Sequence, residues 1–489
     1  MKWMELMKDI SYRLEGNAAL DAQHTASKRV TSDHTLAGAD VLYVCTHTPV
    51  RDGHDTAYAA YAAGSRVFVA ERSLKLPLDA TVFLVENANR ELGRLAARCL
   101  GHPARQMTVI GITGTVGKSS VAYTLTMLLR RAGYSVATLT EDGAWIDGTL
   151  HPSGPKVPDG AMIQELLRRF ADAGAEFAVL EISSYMLAQN SAVSIPFAAV
   201  LVTEHRPAHA DSGEDRPYDC CASEHLAQLA GGTPFWVCSV DFAEEIRRIV
   251  PSHTRILTVG EGGDLFAENA QRFVGKKGYG TQFSLCFENG ACEAVSLPVP
   301  GDFAVKNAVC AAALARVAGL SPGQIAKNLS DYMPPGRMEC IGFCRGRWIY
   351  ADTAYDAPAL ARALGVLRPY TEGRLTVLLG SVGGRNRARR GPLGKTAVDD
   401  GDFAYFTADN PDHEAVPQIC ADLAEEVSDP ARYAVIPDRR EAIIQAILEM
   451  RPGDVLLLAG KGNENYQFIR GRRETFSERT IVKEAVAML

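Results

Sequence analysis

Between Met107 and Gly133 a β-rich run, a glycine-dense turn and an amphipathic stretch follow one another without a break. The pattern predicts a strand over Met107–Ile112, a tight turn, and a helix through Ala132 stopped by Gly133. A chain built from such units folds as a mostly parallel sheet with helices on its faces. The turn itself reads Gly111-Ile112-Thr113-Gly114-Thr115-Val116-Gly117-Lys118-Ser119-Ser120. It brings several backbone N–H groups to one helix N-terminus, where the helix dipole also favours negative charge. Lys118 is spaced to reach the β- and γ-phosphates of a nucleotide, and the Ser119 hydroxyl to sit on Mg²⁺. The spacing departs from GxxxxGK[ST], which asks for glycine at position 112; that residue is Ile112, and the first glycine reads one earlier, at Gly111. Gly114, Thr115, Gly117, Lys118, Ser119 and Ser120 are the candidate nucleotide-binding residues.

The same alternation continues on both sides. Strands are expected at SVATLT, FAVLEI, FAAVLVT, FWVCSV and RILTVG, with helices between them and a hairpin at Asn289-Gly290, a pair suited to a type I′ turn. Beyond Pro334-Pro335-Gly336 the strands WIYAD, LTVLLG, FAYFTAD, YAVIP and DVLLLAG alternate with helices, as in a doubly wound sheet. Before residue 105, VLYVC, SRVFVAER and ATVFLVEN alternate with alanine-rich helical runs. At 489 residues the chain exceeds a single core. The expected fold class is α/β with three domains: a small α/β domain over 1–104, a central phosphate-loop domain over 105–335 with a mostly parallel sheet, and a Rossmann-like domain over 336–489.

Charge and composition narrow the function. A net charge of −7 argues against nucleic acid as a partner. No apolar stretch is long enough to span a membrane, and the charged start MKWMELMKDISYRLEG is no secretory signal, so a cytoplasmic location is expected. The 11 cysteines, scattered and odd in number, suggest buried thiols rather than a disulfide framework. Glu181 closes the FAVLEI strand, at the sheet edge where ligands bind in such folds. A carboxylate there suits a second Mg²⁺, while a solvent-facing strand end is the bland alternative.

A co-linear series of segments decides between them: ITGTVGKSS, LEISSYML, GDFAVKNAVCAAALA, PGRMECI, ADTAYDAPALARAL, GSVGGRNRARRGPLG, TADNPDHE, DRREAIIQAI and AGKGNENYQ. Together they resemble the Mur ligase family, and within it the UDP-N-acetylmuramoyl-dipeptide:amino acid ligases. VTSDHTLAGADVLYVC and RDGHDTAYAAYAAGSRVFVAE are similar to that family's UDP-binding domain. The resemblance implies an ATP- and Mg²⁺-dependent ligase that activates a carboxylate as an acyl phosphate, which the amine of an added amino acid then displaces. It implies Lys118 and Glu181 as catalytic, Ser119 and Glu181 as metal ligands, and Asn307, Arg337 and Asp352 as nucleotide contacts. It also implies a substrate site of Ser183, Arg385, Asp409, Asn410, Asp412, Gly460 and Glu464. The partners implied are small molecules, a UDP-linked muramoyl peptide and an amino acid; a monomer is expected.

The departures from the family pattern cluster. After FAAVLVT the family carries an Asn, an Asp-His pair and a lysine that becomes carbamylated to hold Mg²⁺. Here Thr203-Glu204-His205 follows, Ala222 falls where the lysine would, and no lysine occurs between Lys156 and Lys276. His205, His209, Asp211 or Glu214 are the alternative ligands. Paired threonines become Lys156-Val157, an arginine becomes Ser191, and two histidines become Tyr355 and Asn463. Ser32, Asp33 and His34 match the UDP site only in part. Diaminopimelate-adding members carry Arg where this chain has Asp412, which suggests an acceptor without a distal carboxylate, such as lysine or ornithine. The run Arg385–Arg390 reads either as a solvated face or as a charged ligand edge. Two other readings stay open: a ligase for a different carboxylate donor, and a nucleotide-binding protein without turnover.

Overall fold

The computed structural model describes residues 3–16, 27–48, 51–151, 158–203, 223–384 and 387–489. The chain divides into two compact units. One comprises Met1–Phe266, Phe287–Gly290 and Val309–Ile325; the other comprises Ala267–Cys286, Ala291–Ala308 and Ala326–Leu489.

The first unit holds two sheets. A five-stranded sheet is ordered Arg13–Gly16, Thr81–Leu84, Val67–Ala70, Val41–Val44, Arg29–Thr31, with only the Arg13–Gly16 edge antiparallel. An eight-stranded sheet carries six parallel strands in the order Val136–Thr140, Phe177–Glu181, Thr108–Thr113, Phe197–Val202, Phe235–Ser239, Arg255–Val259. Val136–Thr140, Phe177–Glu181 and Thr108–Thr113 are buried on both faces, so they read as continuous apolar runs rather than alternations. The two sheets join through a close helix crossing. Ala88–Cys99 meets Gly160–Asp172 where Gly93 faces Gly160, and a Cβ on Gly160 would stand 2.9 Å from the Gly93 Cα. Ser32 donates its hydroxyl to Asp159 at 2.5 Å, and Arg29 pairs with Glu165 at 2.8 Å across the same junction. The Ser32 oxygen and the Asp33 carboxylate, which accepts from the amide and hydroxyl of Thr35, are thus already engaged.

The second unit holds a six-stranded sheet ordered Glu339–Cys344, Arg347–Asp352, Val455–Ala459, Leu375–Leu379, Phe403–Phe406, Tyr433–Val435, parallel except for its first strand. A three-stranded sheet (Phe266–Gly275, Gly278–Cys286, Cys292–Leu297) packs with it through a stack of Tyr279 on Tyr350 and Tyr370, with centroids 5.6 and 4.5 Å apart.

Two expectations change here. The Asn289-Gly290 turn is not type I′, because Gly290 alone has positive φ (78°) and its N–H closes a turn on the Phe287 carbonyl. The loop spans five residues, a length built around a type I turn. Its flanking cysteines, Cys286 and Cys292, are cross-strand partners joined as a disulfide, whereas Cys45, Cys238, Cys310 and Cys420 are buried thiols as anticipated. Cys220 and Cys221 lie outside the described residues.

Candidate active site

The Thr108–Thr113 strand lies between Phe177–Glu181 and Phe197–Val202, so the chain's successive crossovers leave it in opposite directions. Such a switch point opens a crevice beyond the strand's C-terminal end, and the glycine turn occupies it. Gly114 (φ 122°) and Gly117 (φ 86°) both adopt backbone conformations that a side chain would strain. Gly117 is the N-cap of the Lys118–Arg131 helix and offers no side-chain acceptor, leaving the first-turn N–H groups for a ligand. Thr203 pins the turn from the neighbouring strand: its N–H donates to Thr113 and its hydroxyl to the Val116 carbonyl at 2.7 Å.

Gly111 has a different role from the one its place in the motif suggests. It lies inside the strand, where a Cβ would press on Ile182 at 2.9 Å and on Phe197 at 3.0 Å. Its smallness serves packing, and the cradle begins at Gly114. The shifted motif spacing is thereby explained.

Lys118 Nζ donates to the Thr115 carbonyl at 3.3 Å and stands 4.0 Å from Glu181 Oε1. Glu181 is no solvent-facing strand end: it is 4% exposed and its other oxygen accepts from the Glu141 amide. Ser119 is buried one residue beyond Lys118, and Ser120 follows it in the first turn. Among the described residues no group of three or more His, Cys, Asp or Glu gathers around a metal position. One carboxylate with one hydroxyl still fits Mg²⁺, which keeps several waters and takes phosphate oxygens beside one or two protein ligands. Ser183 caps the Ser184–Ala188 helix, its oxygen accepting from the Met186 amide while its O–H remains a donor. Asn307 is half-buried early in the Asp302–Val317 helix. Ala222, the alternative metal ligands His205, His209, Asp211 and Glu214, Lys156-Val157 and Arg385 all lie outside the described residues.

In the second unit, four loops meet at the C-terminal ends of parallel strands. The Asp352 carboxylate accepts from the Met338 amide at 2.7 Å and the Ala354 amide at 2.9 Å; burial pushes its pKa up, against the pull of the Arg337 guanidinium. Arg337 itself bonds the Thr353 hydroxyl. Gly336 and Gly462 let the two neighbouring turns touch backbone to backbone, since a Cβ on Gly336 would run into Gly462 and Asn463. Gly460 (φ 103°) leaves room for the Asp409 carboxylate, 3.1 Å from where its Cβ would stand.

Asp409, Asn410, Gly460 and Glu464 therefore come together as expected, but around a residue the sequence did not single out. Lys461 is 1% exposed, and its ammonium donates to Asp409 Oδ1 (3.3 Å), Asn410 Oδ1 (3.1 Å) and Glu464 Oε2 (3.0 Å). The available signal was a lysine one glycine beyond a fully buried strand, held between Gly460 and Gly462.

Asp412 does not join this cluster. It adopts φ 50°, its carboxylate accepts from the Gly471 amide at 2.6 Å, and its backbone pairs with Phe468 and Arg470. It fastens the 409–414 loop to the Tyr466–Ile469/Arg472–Thr475 hairpin, an Asp being one of the few side chains tolerated at positive φ. The aspartate therefore has a structural task. The basic run is likewise not a solvated face throughout. Arg390 is fully buried and forms a two-pronged pair with Glu414, both bonds 2.8 Å, plus a bond to Asp422; Arg387 joins the same Glu414. These contacts hold the Glu414 pKa down at about 2. Arg389 faces the exposed Tyr355 ring.

Comparison with known proteins agrees with this layout. Residues 112–315 match the Mur ligase middle domain, and residues 336–462 match the Mur ligase glutamate ligase domain. A UDP-N-acetylmuramoyl-L-alanyl-D-glutamate–2,6-diaminopimelate ligase from Geobacillus kaustophilus is 31% identical over 483 residues, covering 96% of each chain. The protein of the same name from Caldanaerobacter subterraneus subsp. tengcongensis is 29% identical, covering 100% of this chain and 99% of its own. A solved structure of a ligase of that name superposes with a TM-score of 0.66 at 25% identity, covering 94% of this chain and 95% of the other. A MurF ligase from Thermotoga maritima in complex with ADP shares the fold, with a TM-score of 0.57 at 20% identity over 94% of this chain and 96% of its own. The chain belongs to the Mur ligase family, whose members are ATP-dependent ligases.

Proposed function

We propose that the protein joins an amino acid to the terminal carboxylate of a UDP-N-acetylmuramoyl dipeptide, using ATP. The observation that carries this reading is the pairing of Lys118 with the buried Glu181 at the mouth of the glycine turn. Amides at the start of the Lys118–Arg131 helix would hold the phosphate tail, and Lys118 would follow the charge that moves with the γ-phosphoryl group. Ser119 and Glu181 would hold Mg²⁺, which supplies further neutralisation of the phosphate oxygens when bound. The substrate carboxylate attacks the γ-phosphoryl group and displaces ADP to give an acyl phosphate; the amino acid's ammonium then gives up a proton to water or to the departing phosphate, and the freed amine attacks the acyl carbon and displaces inorganic phosphate. Glu464 and the Asp409-Asn410 turn would receive that amine, since their carboxylates carry more negative charge than Lys461 offsets. The relatives named above are 2,6-diaminopimelate ligases by name, and the bond of the Asp412 carboxylate to the Gly471 amide gives that residue a structural task, both of which support diaminopimelate as the acceptor.

The test is acceptor-dependent ADP release with UDP-muramoyl dipeptide, comparing diaminopimelate, lysine and ornithine. Release with diaminopimelate above the other two is expected. A chain that releases ADP only with another carboxylate donor, or never, contradicts the proposal.

A further inference from the structure

We propose that Lys461 is a positioning residue for the incoming amino acid: it touches no substrate, yet it fixes the one carboxylate oxygen that receives the substrate's ammonium. This rests on the reading of the 409–464 cluster as the acceptor site. Lys461 has three N–H donors, and three acceptors already surround it: Asp409 Oδ1, Asn410 Oδ1 and Glu464 Oε2. A saturated, fully buried ammonium has nothing left to offer a ligand. Its work is done on its neighbours.

Glu464 shows the result. Oε2 takes two donors, Lys461 Nζ at 3.0 Å and Asn410 Nδ2 at 2.9 Å. Oε1 meets only the Tyr466 hydroxyl at 3.5 Å among the described residues, and the side chain is 21% exposed. One oxygen is locked and the other is presented. The lock extends outward, because Asn410 Oδ1 also accepts from the Phe468 amide and Gln467 donates to the Asp409 carbonyl. The 409–412 turn and the 460–464 loop are thus tied at a single ammonium, and the hairpin is tied to that turn through Asn410 and the Asp409 carbonyl.

Charge points the same way. Asp409 and Glu464 bring two negative charges and Lys461 one positive, leaving the cluster one negative charge in balance with a cationic amine. An electrostatic role would depend on that sum alone. A positioning role depends on the bonds. The two can be separated, because Lys461→Met combined with Asp409→Asn keeps the net charge at one negative while removing the tie.

The experiment is steady-state kinetics on the full chain with ATP, UDP-muramoyl dipeptide and the best amino acid acceptor. For Lys461→Met, the acceptor KM should rise at least about tenfold, with the ATP KM within about twofold of wild type, as misplacing a reactive partner by an ångström costs that much or more. The Lys461→Met/Asp409→Asn double variant leaves no buried carboxylate pair to repel, so it guards against simple misfolding of the single variant. It should retain the raised acceptor KM, above that of Asp409→Asn alone, which removes a carboxylate of the site but leaves Lys461 bonded to Asn410 and Glu464. A double variant with the wild-type acceptor KM overturns positioning in favour of charge balance. Acceptor KM unchanged in both variants, with only a lowered melting temperature, makes Lys461 merely structural. Wild-type protein that turns over with no amino acid at all sinks the functional reading instead.

Discussion

Lys118 and Lys461 each follow an apolar strand and a glycine, and each belongs to a candidate site, yet the structure treats them as opposites. Lys118 sits at a helix N-terminus with one weak bond to a carbonyl and its nearest carboxylate 4.0 Å off. Lys461 is sealed, with every donor spent on groups within 3.3 Å. A lysine that must grip a phosphate keeps donors in reserve and accepts some exposure. One that must hold other side chains in place spends all of them and pays the desolvation through ion pairs. Burial and saturation, not residue type, separate the reaching role from the holding role.

The comparison is broken most directly at Lys118. Lys118→Met should lower kcat by about 10³-fold, the upper scale for removing one preorganised charge partner of a transition state. Its melting temperature should fall less than that of Lys461→Met, because one weak bond and a 4.0 Å pairing with Glu181 are lost rather than three bonds of a sealed ammonium. A melting temperature that falls as far as that of Lys461→Met would erase the distinction. Next comes Glu181→Gln, expected to cost about 10²-fold and to raise the Mg²⁺ concentration needed for ADP release. Chelation with EDTA should stop release in the wild type and Mg²⁺ should restore it; activity that persists under chelation removes the metal assignment.

The neighbourhood of the holding lysine predicts a pH effect. Arg390 lowers the Glu414 pKa to about 2, below its unfolded value, so this pair contributes stability that is complete above the unfolded pKa and is lost as pH falls through the folded one. The contribution is on the order of 3 kcal/mol from the size of the shift. The denaturant midpoint of Glu414→Gln should therefore lie well below wild type near neutrality, and the gap should narrow between about pH 4.5 and pH 2. A gap independent of pH would mean the pair carries no linkage. The smallest effect is expected at Asp412→Asn, which keeps the oxygen acceptor and the tolerance for positive φ: about 0.5 kcal/mol or less, with acceptor preference unchanged. A switch in preference between diaminopimelate and lysine would return Asp412 to a specificity role.

These outcomes trace what could be read from the chain. The strands around the glycine turn were legible because each is a short apolar run bounded by glycine or polar residues, and the turn's chemistry is local, a matter of backbone amides over about ten consecutive residues. The packing role of Gly111 was not legible because its constraint comes from Ile182 and Phe197, 71 and 86 positions away. The structural contact of Asp412 was not legible for a similar reason: its partner amide is Gly471, on a hairpin that sequence spacing does not connect to it.

By itself the sequence determined the α/β alternation, the glycine turn between strand and helix and the set of family segments, all of which depend on residues near one another along the chain. Only the tertiary structure decided which charges are spent. Whether Lys461, Arg390 or Asp412 faces a ligand or a neighbour depends on groups 3 to 59 residues away that meet only after folding, since an ion's role is set by its burial and its partners.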